Sequence, residues 1–563
     1  MATDTSESQS TTNVAARLSA MAARMPHAPA VVVQIPRRKD THGRHQYERY
    51  TFQQLDRDSD LVASQLLAMG VPRGSRLALM VKPGFDFISL VFALFKAGMV
   101  QILIDPGMGR RNVLKCLDEA APDGFVAIPI VHAVRSLLGR RYAKARWNVT
   151  VGRRFGWGGA TLAEFRARDW PGATIADVAP EDPAAIIFTS GSTGPPKGVL
   201  YRHGNFNAQV EQIRDGYDIE PGGVDLACFP LFALFNGALG LTTVIPDMDA
   251  TRPAKVNPRN ILAAVADCGV TQSFGSPAVW NAVGQYCQQH GATLPLLRNV
   301  YSAGAPVPAR VLAAMKRCIH PEGEVYTPYG ATESLPVASI SASEVLGETR
   351  AATEQGAGVC VGRRFSGIEW RVVRIVDGPI RTIDNVEMLP DGEIGELIVR
   401  GDVVTSEYVN LPEATARAKI ADGEKFWHRM GDVGYLDAVQ RFWFCGRLMH
   451  RVATAQGTMF TIVCEAIFNT HPSVFRSALV GVGPRGQQRP VMIVEPWPEK
   501  LPRSAAQRDQ LLAELRRLAA GNPRTASIGD FLIHPSFPVD IRHNAKIFRE
   551  KLAVWAAKQL PAS

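Results

Sequence analysis

The sequence predicts an α/β protein: a large N-terminal domain of two doubly wound α/β subdomains plus a β-rich, barrel-like subdomain, followed by a small α+β domain. Three observations carry that expectation. Apolar runs of strand length alternate with amphipathic helical stretches over most of the chain, the pattern of sheets covered by helices. From Gly358 the texture changes to short alternating strands with Asp-Gly turns, which marks a β-rich unit. At 563 residues and 46% hydrophobic, the chain exceeds what one core organises, so two or more folding units are required. The expected boundaries are a disordered Ser/Thr-rich stretch at 1–12, the large domain at 13–446 with its β-rich part at about 356–446, and the small domain at 447–563.

Taken in order, Asn13 is placed to cap a helix whose Val14, Leu18, Met21 and Met25 recur at helical spacing. A strand at 31–35 and a helix at 52–69 follow, then strands at 76–81 and 100–104 on either side of a helix at 85–97. Strands at 184–188 and 199–203 flank a loop of hydroxyls and glycines, and Asn205 is placed to cap a helix reaching Gly216. The stretch from Phe229 to Pro246 is strongly apolar. Phe232, Phe235 and Gly237 suit the wall of a greasy pocket, with ordinary core as the equal alternative. A strand running into the turn 303–306 precedes Pro308, which suits the opening of a helix to Cys318. The strand from Val325 ends in a loop rich in functional groups, and open α/β sheets bind ligands at such strand ends. The β-rich unit has strands at 370–375 and 396–400 and turns at Asp391-Gly392 and Asp422-Gly423.

Composition narrows the function classes. The formal charge of +9 is modest for this length and spread along the chain; it favours an anionic partner or substrate, which ATP satisfies, without calling for nucleic acid. Cys116, Cys228, Cys268, Cys287, Cys318, Cys360, Cys445 and Cys464 lie far apart, with no C-x-x-C pair and no histidine at metal-ligand spacing. They read as buried free thiols of a cytoplasmic protein. Asp4 and Glu7 precede any apolar run, which fits neither a secretory signal nor a transit peptide, and no apolar run is long enough for a membrane span. The stretch from Arg140 to Trp157 interleaves arginines with aromatics but reads as a solvated face and carries no functional expectation.

The chemistry concentrates at 188–198, Phe-Thr-Ser-Gly-Ser-Thr-Gly-Pro-Pro-Lys-Gly. Thr189, Ser190, Ser192 and Thr193 offer short donors, Gly191 and Gly194 let backbone N–H groups approach anionic oxygens, and Lys197 adds a point charge, so the loop suits a polyphosphate. The commonest phosphate loop needs Gly directly before Lys and a helix directly after. Here Pro196 precedes Lys197 and Gly198 follows, so that motif is set aside.

This loop resembles the signature of the acyl-adenylate-forming superfamily, which includes acyl-CoA synthetases, nonribosomal-peptide adenylation domains and firefly-type luciferases. Further motifs follow in that family's order: Ser-Ala-Gly-Ala-Pro at 302–306, Tyr-Gly-Ala-Thr-Glu at 329–333, Met-Gly-Asp-Val-Gly at 430–434, and Gly446-Arg447. The resemblance implies ATP and Mg²⁺ as cofactors and a small C-terminal domain that moves. It implies that Glu333 ligates Mg²⁺, that Thr332 donates to the α-phosphate, and that Tyr329 stacks on adenine beside Gly330. Gly304, with Ala305 and Pro306, would let the backbone reach the base edge. Asp432 and Arg447 resemble the pair that holds the ribose hydroxyls. Lys546 aligns with the lysine that relatives bring to the carboxylate and α-phosphate, where it would offset charge developing in the transition state.

Several positions depart from the family pattern. Many relatives carry His where Ala233 stands and Gly where Ala545 stands. Relatives that use CoA usually carry Asp or Lys at the position of Met449, and 450–457 lacks their lysine-rich pattern. These departures leave the CoA half-reaction open and do not touch adenylation. With them, the chain resembles the β-lactone synthetase branch of bacterial long-chain olefin biosynthesis. That branch implies a hydrophobic 2-alkyl-3-hydroxy acid substrate, closure of its adenylate by its own hydroxyl, and neighbouring pathway enzymes as partners. His203 is a candidate base by chemistry alone, with a structural histidine as the alternative. A long-chain acyl-CoA synthetase is the competing enzyme reading, and a non-catalytic adenylate-binding scaffold the competing class.

Overall fold

The protein is described here by a computed structural model, which covers residues 12–41, 43–170, 172–189, 195–229, 233–540 and 546–560. Two sheets organise the large domain. One has seven strands in the order Ala160–Thr161, Trp147–Thr150, Gly124–Ala127, Arg76–Met80, Val100–Leu103, Pro183–Phe188, Gly198–Arg202. All neighbours are parallel except the last pair, an antiparallel hairpin that carries the phosphate-type loop. Leu77, Ala78, Ile102 and Ile186 have no exposure, as expected where helices cover both faces of a parallel sheet. The second sheet has nine strands; its middle members are parallel, and antiparallel hairpins close its edges, one of them Glu324–Ala331 with Ser334–Ser341.

The helices follow from local chemistry. Phe52–Ala68 begins at Thr51, whose hydroxyl accepts from Gln54 N–H while the Gln54 side chain accepts from Thr51 N–H, a reciprocal cap. Phe85–Lys96 is buried almost all round, and its Lys96 ammonium is neutralised by Asp56 (2.6 Å) and Asp60 (2.7 Å). Two expected caps act with a difference. Asn13 opens the turn ahead of the helix Ala16–Arg24, its side-chain oxygen accepting from Ala15 N–H (3.1 Å), while its buried amide nitrogen donates to the Phe95 and Ala176 carbonyls. Asn205 is inside the helix His203–Gly216, and its side chain reaches back to accept from Arg202 N–H (3.0 Å). Residues 1–11 of the expected N-terminal stretch lie outside the described residues, while the Thr12 carbonyl accepts from Asn207 Nδ2 (2.7 Å).

The expected barrel-like unit is a six-stranded antiparallel sheet, with Glu369–Val373, Gly395–Arg400, Lys425–Leu436 and Phe442–Arg447 in sequence across it. Lys419–Asp422 adds a hairpin onto Lys425–Leu436 through Asp422-Gly423, where Gly423 takes φ +61°. Beyond the short turn Leu448–His450 lies the small α+β unit, a three-stranded sheet of Val474–Val482, Arg489–Pro496 and Asp530–Ile533 with helices against it. Asp377 of the β-rich unit accepts from Arg451 and, at 3.0 Å, from Arg485, one on each side of the first strands of the small unit.

All eight cysteines are free, Cys268 half-buried and the others buried. In the basic, aromatic stretch Tyr142 is buried against Phe125, Arg141 pairs with Asp118, and Arg154 pairs with Glu164, so these side chains are spent on local structure. Among the described residues no helix is long and apolar enough to cross a membrane.

Candidate active site

The site is assembled by a segment that the motifs do not mark. Residues 404–409 run between the two hairpins. Val404 bridges to Ser334, and Tyr408 bridges to Val199 while Val409 N–H donates to the Gly198 carbonyl (2.8 Å). The phosphate-loop hairpin and the Thr332-Glu333 turn are thereby held against one strip of backbone. At the stem of the phosphate loop, Thr189 N–H donates to the Lys197 carbonyl (3.0 Å) and Lys197 N–H donates to Thr189 Oγ1 (3.1 Å), so both chain ends of the loop are pinned. Ser190, Gly191, Ser192, Thr193 and Gly194 lie outside the described residues, as does Phe232.

Thr332 and Glu333 form the two-residue tip of the hairpin, since Ala331 pairs with Ser334. Tyr201 donates to the Thr332 carbonyl (2.5 Å), and Thr405 grips the Glu333 carbonyl with both its N–H (3.0 Å) and its hydroxyl (3.1 Å). The Glu333 carboxylate accepts from the Tyr408 hydroxyl (2.5 Å), and the Lys197 ammonium lies 4.7 Å from the centre of the same ring. Burial and the Glu333 carboxylate hold the Tyr408 hydroxyl far above the ordinary phenol range, so it stays a donor. Lys197 and Glu333 thus converge through one aromatic ring.

A second group forms beside it. Asp432 and Arg447 are directly opposite across neighbouring strands, with Arg447 Nη1 2.9 Å from Asp432 Oδ1, and Tyr329 donates to Asp432 Oδ2 (2.5 Å). The Arg447 contact is close in distance but not aligned as a hydrogen bond, which leaves buried Oδ1 without a well-directed donor. Burial raises the Asp432 carboxyl, and Arg447 and Tyr329 pull it back down. An acceptor so placed fits a ligand hydroxyl. Gly330 packs where a Cβ would stand 2.7 Å from the Ser334 carbonyl, and Gly304 holds φ +93° in the turn with Ala305 and Pro306, so both positions demand glycine.

The remaining expected residues are placed as follows. Phe235 stands on the helix Leu234–Leu239, 6.4 Å from Phe206, which stacks on Tyr201 and so connects that helix to the Thr332 turn. Gly237 on the same helix is turned to the core, where a Cβ would meet Phe92 at 2.9 Å; its smallness serves helix packing there. His203 is fully buried, its Nδ1 accepts from Val14 N–H (3.3 Å), and burial pushes it down to about 4, so it is a structural histidine. Lys546 belongs to the small unit. Asp540 N–H donates to the Lys546 carbonyl (2.9 Å), and Val539 bridges to Ile547 across residues 541–545, which include Ala545 and lie outside the described residues. Arg549 then anchors the last helix on buried Glu465 (2.6 Å). Met449 is exposed, while burial, Arg549 and Arg447 push His450 down to about 3.

Among the described residues no three His, Cys, Asp or Glu side chains are grouped to hold a metal by themselves. Glu333, a single carboxylate at a hairpin tip, suits a hard cation that keeps its waters and takes its other ligands from phosphate.

Lys197 and Glu333 drawn to one ring between two hairpins, with a buried carboxylate that suits ligand hydroxyls beside them, fit a nucleotide. The chain belongs to the AMP-binding enzyme family, whose model matches residues 18–409. It is 48% identical over 554 residues to the olefin beta-lactone synthetase of Xanthomonas campestris pv. campestris, covering 97% of this chain and 98% of that protein. The olefin beta-lactone synthetase of Stenotrophomonas maltophilia is likewise 48% identical, over 556 residues, with the same coverage. Among solved structures, the ATP-bound MatB of Rhodopseudomonas palustris superposes with a TM-score of 0.76 over 98% of this chain and 99% of that one, at 19% identity. The last shows a shared fold, with a large N-terminal and a small C-terminal domain.

Proposed function

We propose that this protein is an AMP-forming β-lactone synthetase, which activates a 2-alkyl-3-hydroxy fatty acid with ATP and closes the resulting acyl-adenylate on its own 3-hydroxyl. The observation that carries the reading is the 48% identity over 97% of the chain to two proteins named olefin beta-lactone synthetase. The meeting of Lys197 and Glu333 at the Tyr408 ring, beside the Thr332-Glu333 hairpin tip, supports it.

In the first step a carboxylate oxygen of the acid attacks the α-phosphorus, the α–β phosphoanhydride bond breaks, and pyrophosphate leaves. Both reactants are anionic, so the protein's task is to make their approach electrostatically tolerable. Lys197 and the loop at 189–194 hold the phosphates, Thr332 donates to the α-phosphate, and Lys546 meets the charge that develops there. Mg²⁺, held by Glu333 and phosphate oxygens, would neutralise the leaving pyrophosphate. Asp432 and Arg447 hold the ribose hydroxyls, Tyr329 braces Asp432 and lies along the adenine, and the backbone at Gly304, Ala305 and Pro306 meets the base edge. Phe235, with Phe232, walls the alkyl chain.

In the second step the 3-hydroxyl oxygen attacks the acyl carbon, the bond from that carbon to AMP breaks, and the hydroxyl proton passes to water or the departing phosphate. Nucleophile and electrophile share one molecule, which raises their effective concentration, and the mixed anhydride offsets the strain of a four-membered ring. No thiol is consumed. The lactone calls for a decarboxylating enzyme next in sequence to give an olefin, in keeping with partners from that pathway.

The test supplies ATP, Mg²⁺ and a 2-alkyl-3-hydroxy acid to the full chain, with and without CoA, and identifies the product by mass spectrometry and proton NMR. A β-lactone formed without CoA is expected. A thioester formed only with CoA would replace this reading by that of an acyl-CoA ligase.

A further inference from the structure

We propose that the outward face of the helix Pro129–Leu137, with Phe155 beside it and the cations that follow it in the chain, is a docking surface for an anionic lipid bilayer. The amphipathy of this helix is inverted. Its polar members are turned inward: His132 has no exposure and its Nε2 lies 3.0 Å from the Val149 carbonyl oxygen, while half-buried Arg135 stands over the Phe125 ring (6.0 Å) and donates to the Trp157 carbonyl (3.4 Å). Its aliphatic members are turned outward: Ile130, Val134 and Leu137, four and three residues apart and so on one side of the helix, are 65%, 44% and 87% exposed. An apolar side chain exposed singly is ordinary, whereas a stripe of them opposite a polar interior marks a face that another apolar phase covers.

The loop 152–159 runs along the same helix. A Cβ on Gly152 would stand 3.5 Å from Pro129, and the Trp157 ring stacks on His132 with centroids 6.0 Å apart. Phe155, 5.5 Å from Trp157, is 59% exposed, and the Arg153 guanidinium lies 5.2 Å from its ring. Charge then says what the occupant is. No Asp or Glu occurs between Asp123 and Glu164, a stretch that carries seven Arg and Lys. The acids that reach in from its ends are already engaged: Asp118 with Arg141, Glu164 with Arg154, and Asp123 with Arg76 N–H (2.8 Å). With Arg135 turned inward, Arg140, Lys144, Arg146 and Arg153 remain, all exposed and none in an ion pair with a carboxylate among the described residues.

Four unpaired cations around an aliphatic stripe call for an occupant that offers negative charge and hydrocarbon together. A bilayer with acidic headgroups does so: the cations meet the phosphates, and the stripe enters the boundary of the acyl chains. A nucleic acid supplies the charge but nothing for three aliphatic side chains. The strand that feeds this helix, Gly124–Ala127, belongs to the half of the seven-stranded sheet farther in strand order from the phosphate-loop hairpin. Docking there leaves the cleft open, whatever reaction the cleft carries out.

The test floats the full chain with extruded vesicles of phosphatidylcholine alone and of phosphatidylcholine mixed with phosphatidylglycerol, at low ionic strength. Wild type should rise with the anionic vesicles and stay behind with the neutral ones, and added salt should release it. The double variant Arg140→Gln/Lys144→Gln should lose about tenfold in partition onto the anionic vesicles. Ile130→Ser/Leu137→Ser should lose about tenfold or more. Both should keep the wild-type thermal midpoint, because the replaced side chains are exposed. A wild type that stays behind with anionic vesicles, or floats equally with both kinds, overturns the inference, as does either double variant floating like wild type. Retention on polyglutamate without flotation would assign the face to an acidic protein and overturn it too.

Discussion

Tyr408 and Glu333, 75 residues apart in sequence, share a hydrogen bond of 2.5 Å, and Lys197 lies over the ring that donates it. One side chain thus sets where the acid and the base of the site stand relative to each other. A carboxylate at a two-residue hairpin tip has several rotamers open to it, and the phenol selects one.

Removing that hydroxyl alone separates positioning from packing. Tyr408→Phe keeps the ring beneath Lys197 and frees Glu333. Pyrophosphate release should fall about tenfold in kcat, with a higher Mg²⁺ requirement and an unchanged thermal midpoint. An unaltered Mg²⁺ dependence would mean that the bond does no positioning.

Tyr329→Phe tests the ribose side through pH. Burial raises the Asp432 carboxyl, while Arg447 and the Tyr329 hydroxyl lower it. Losing the hydroxyl raises it further, so the carboxylate that must accept ribose hydroxyls is lost at a higher pH. The acid limb of the ATP KM profile should move upward in pH, with the alkaline side unmoved.

Lys546→Ala should lower pyrophosphate release by roughly two to three orders of magnitude while leaving thermal unfolding unchanged, because the lysine stabilises charge that exists only in the transition state. A synthetic acyl-adenylate should still be converted to lactone by this variant. Loss of both activities would assign Lys546 to structure or to both steps.

Asp225 gives a prediction about stability instead of catalysis. It is buried in the nine-stranded sheet, accepts from Asn236 (2.8 Å) and Gln272 (3.5 Å), and burial pushes it up to about 6 from 3.8. A raised carboxyl contributes stability while protonated: the contribution is whole below the unfolded value and is lost as pH rises through about 6. Asp225→Asn keeps an acceptor for Asn236 and does not titrate. Relative to that variant, wild type should lose roughly 3 kcal/mol between pH 4 and 7, read as a difference in thermal midpoints. A constant difference would show that the carboxyl does not titrate in that window.

The α/β framework was legible because parallel strands buried on both faces read as continuous apolar runs; 76–80, 100–103 and 183–188 fall within a residue or two of the expected strands. Helix starts were less so. Asn13 and Asn205 have the chemistry of caps, but the first lies a turn ahead of its helix, accepting from Ala15 N–H while its amide ties down Phe95 and Ala176, and the second is the inner arm of a cap. In the site, Lys197 was marked by the glycines and hydroxyls around it, while Thr332, Glu333, Asp432 and Arg447 were expected from the order of the motifs that resemble the family's. Tyr408 and Thr405 carried no such signal. Their roles arise from pairing between 404–409 and two hairpins far away in sequence, and no local pattern encodes a contact across such distances. Gly237 shows the converse: a small residue in an apolar stretch suggested space for a ligand, and the space is taken by Phe92.

Asp377 accepts from Arg451 and Arg485 with its own side chain 65% exposed, whereas the Arg549–Glu465 pair is sealed inside the small unit. Ionic strength will therefore act unevenly on this molecule. Added electrolyte screens the ion pairs between the lobes and barely reaches the one that keeps the small lobe intact. What brine leaves between the lobes is the apolar seam of Val433, Cys445 and Val463, which salt does not loosen.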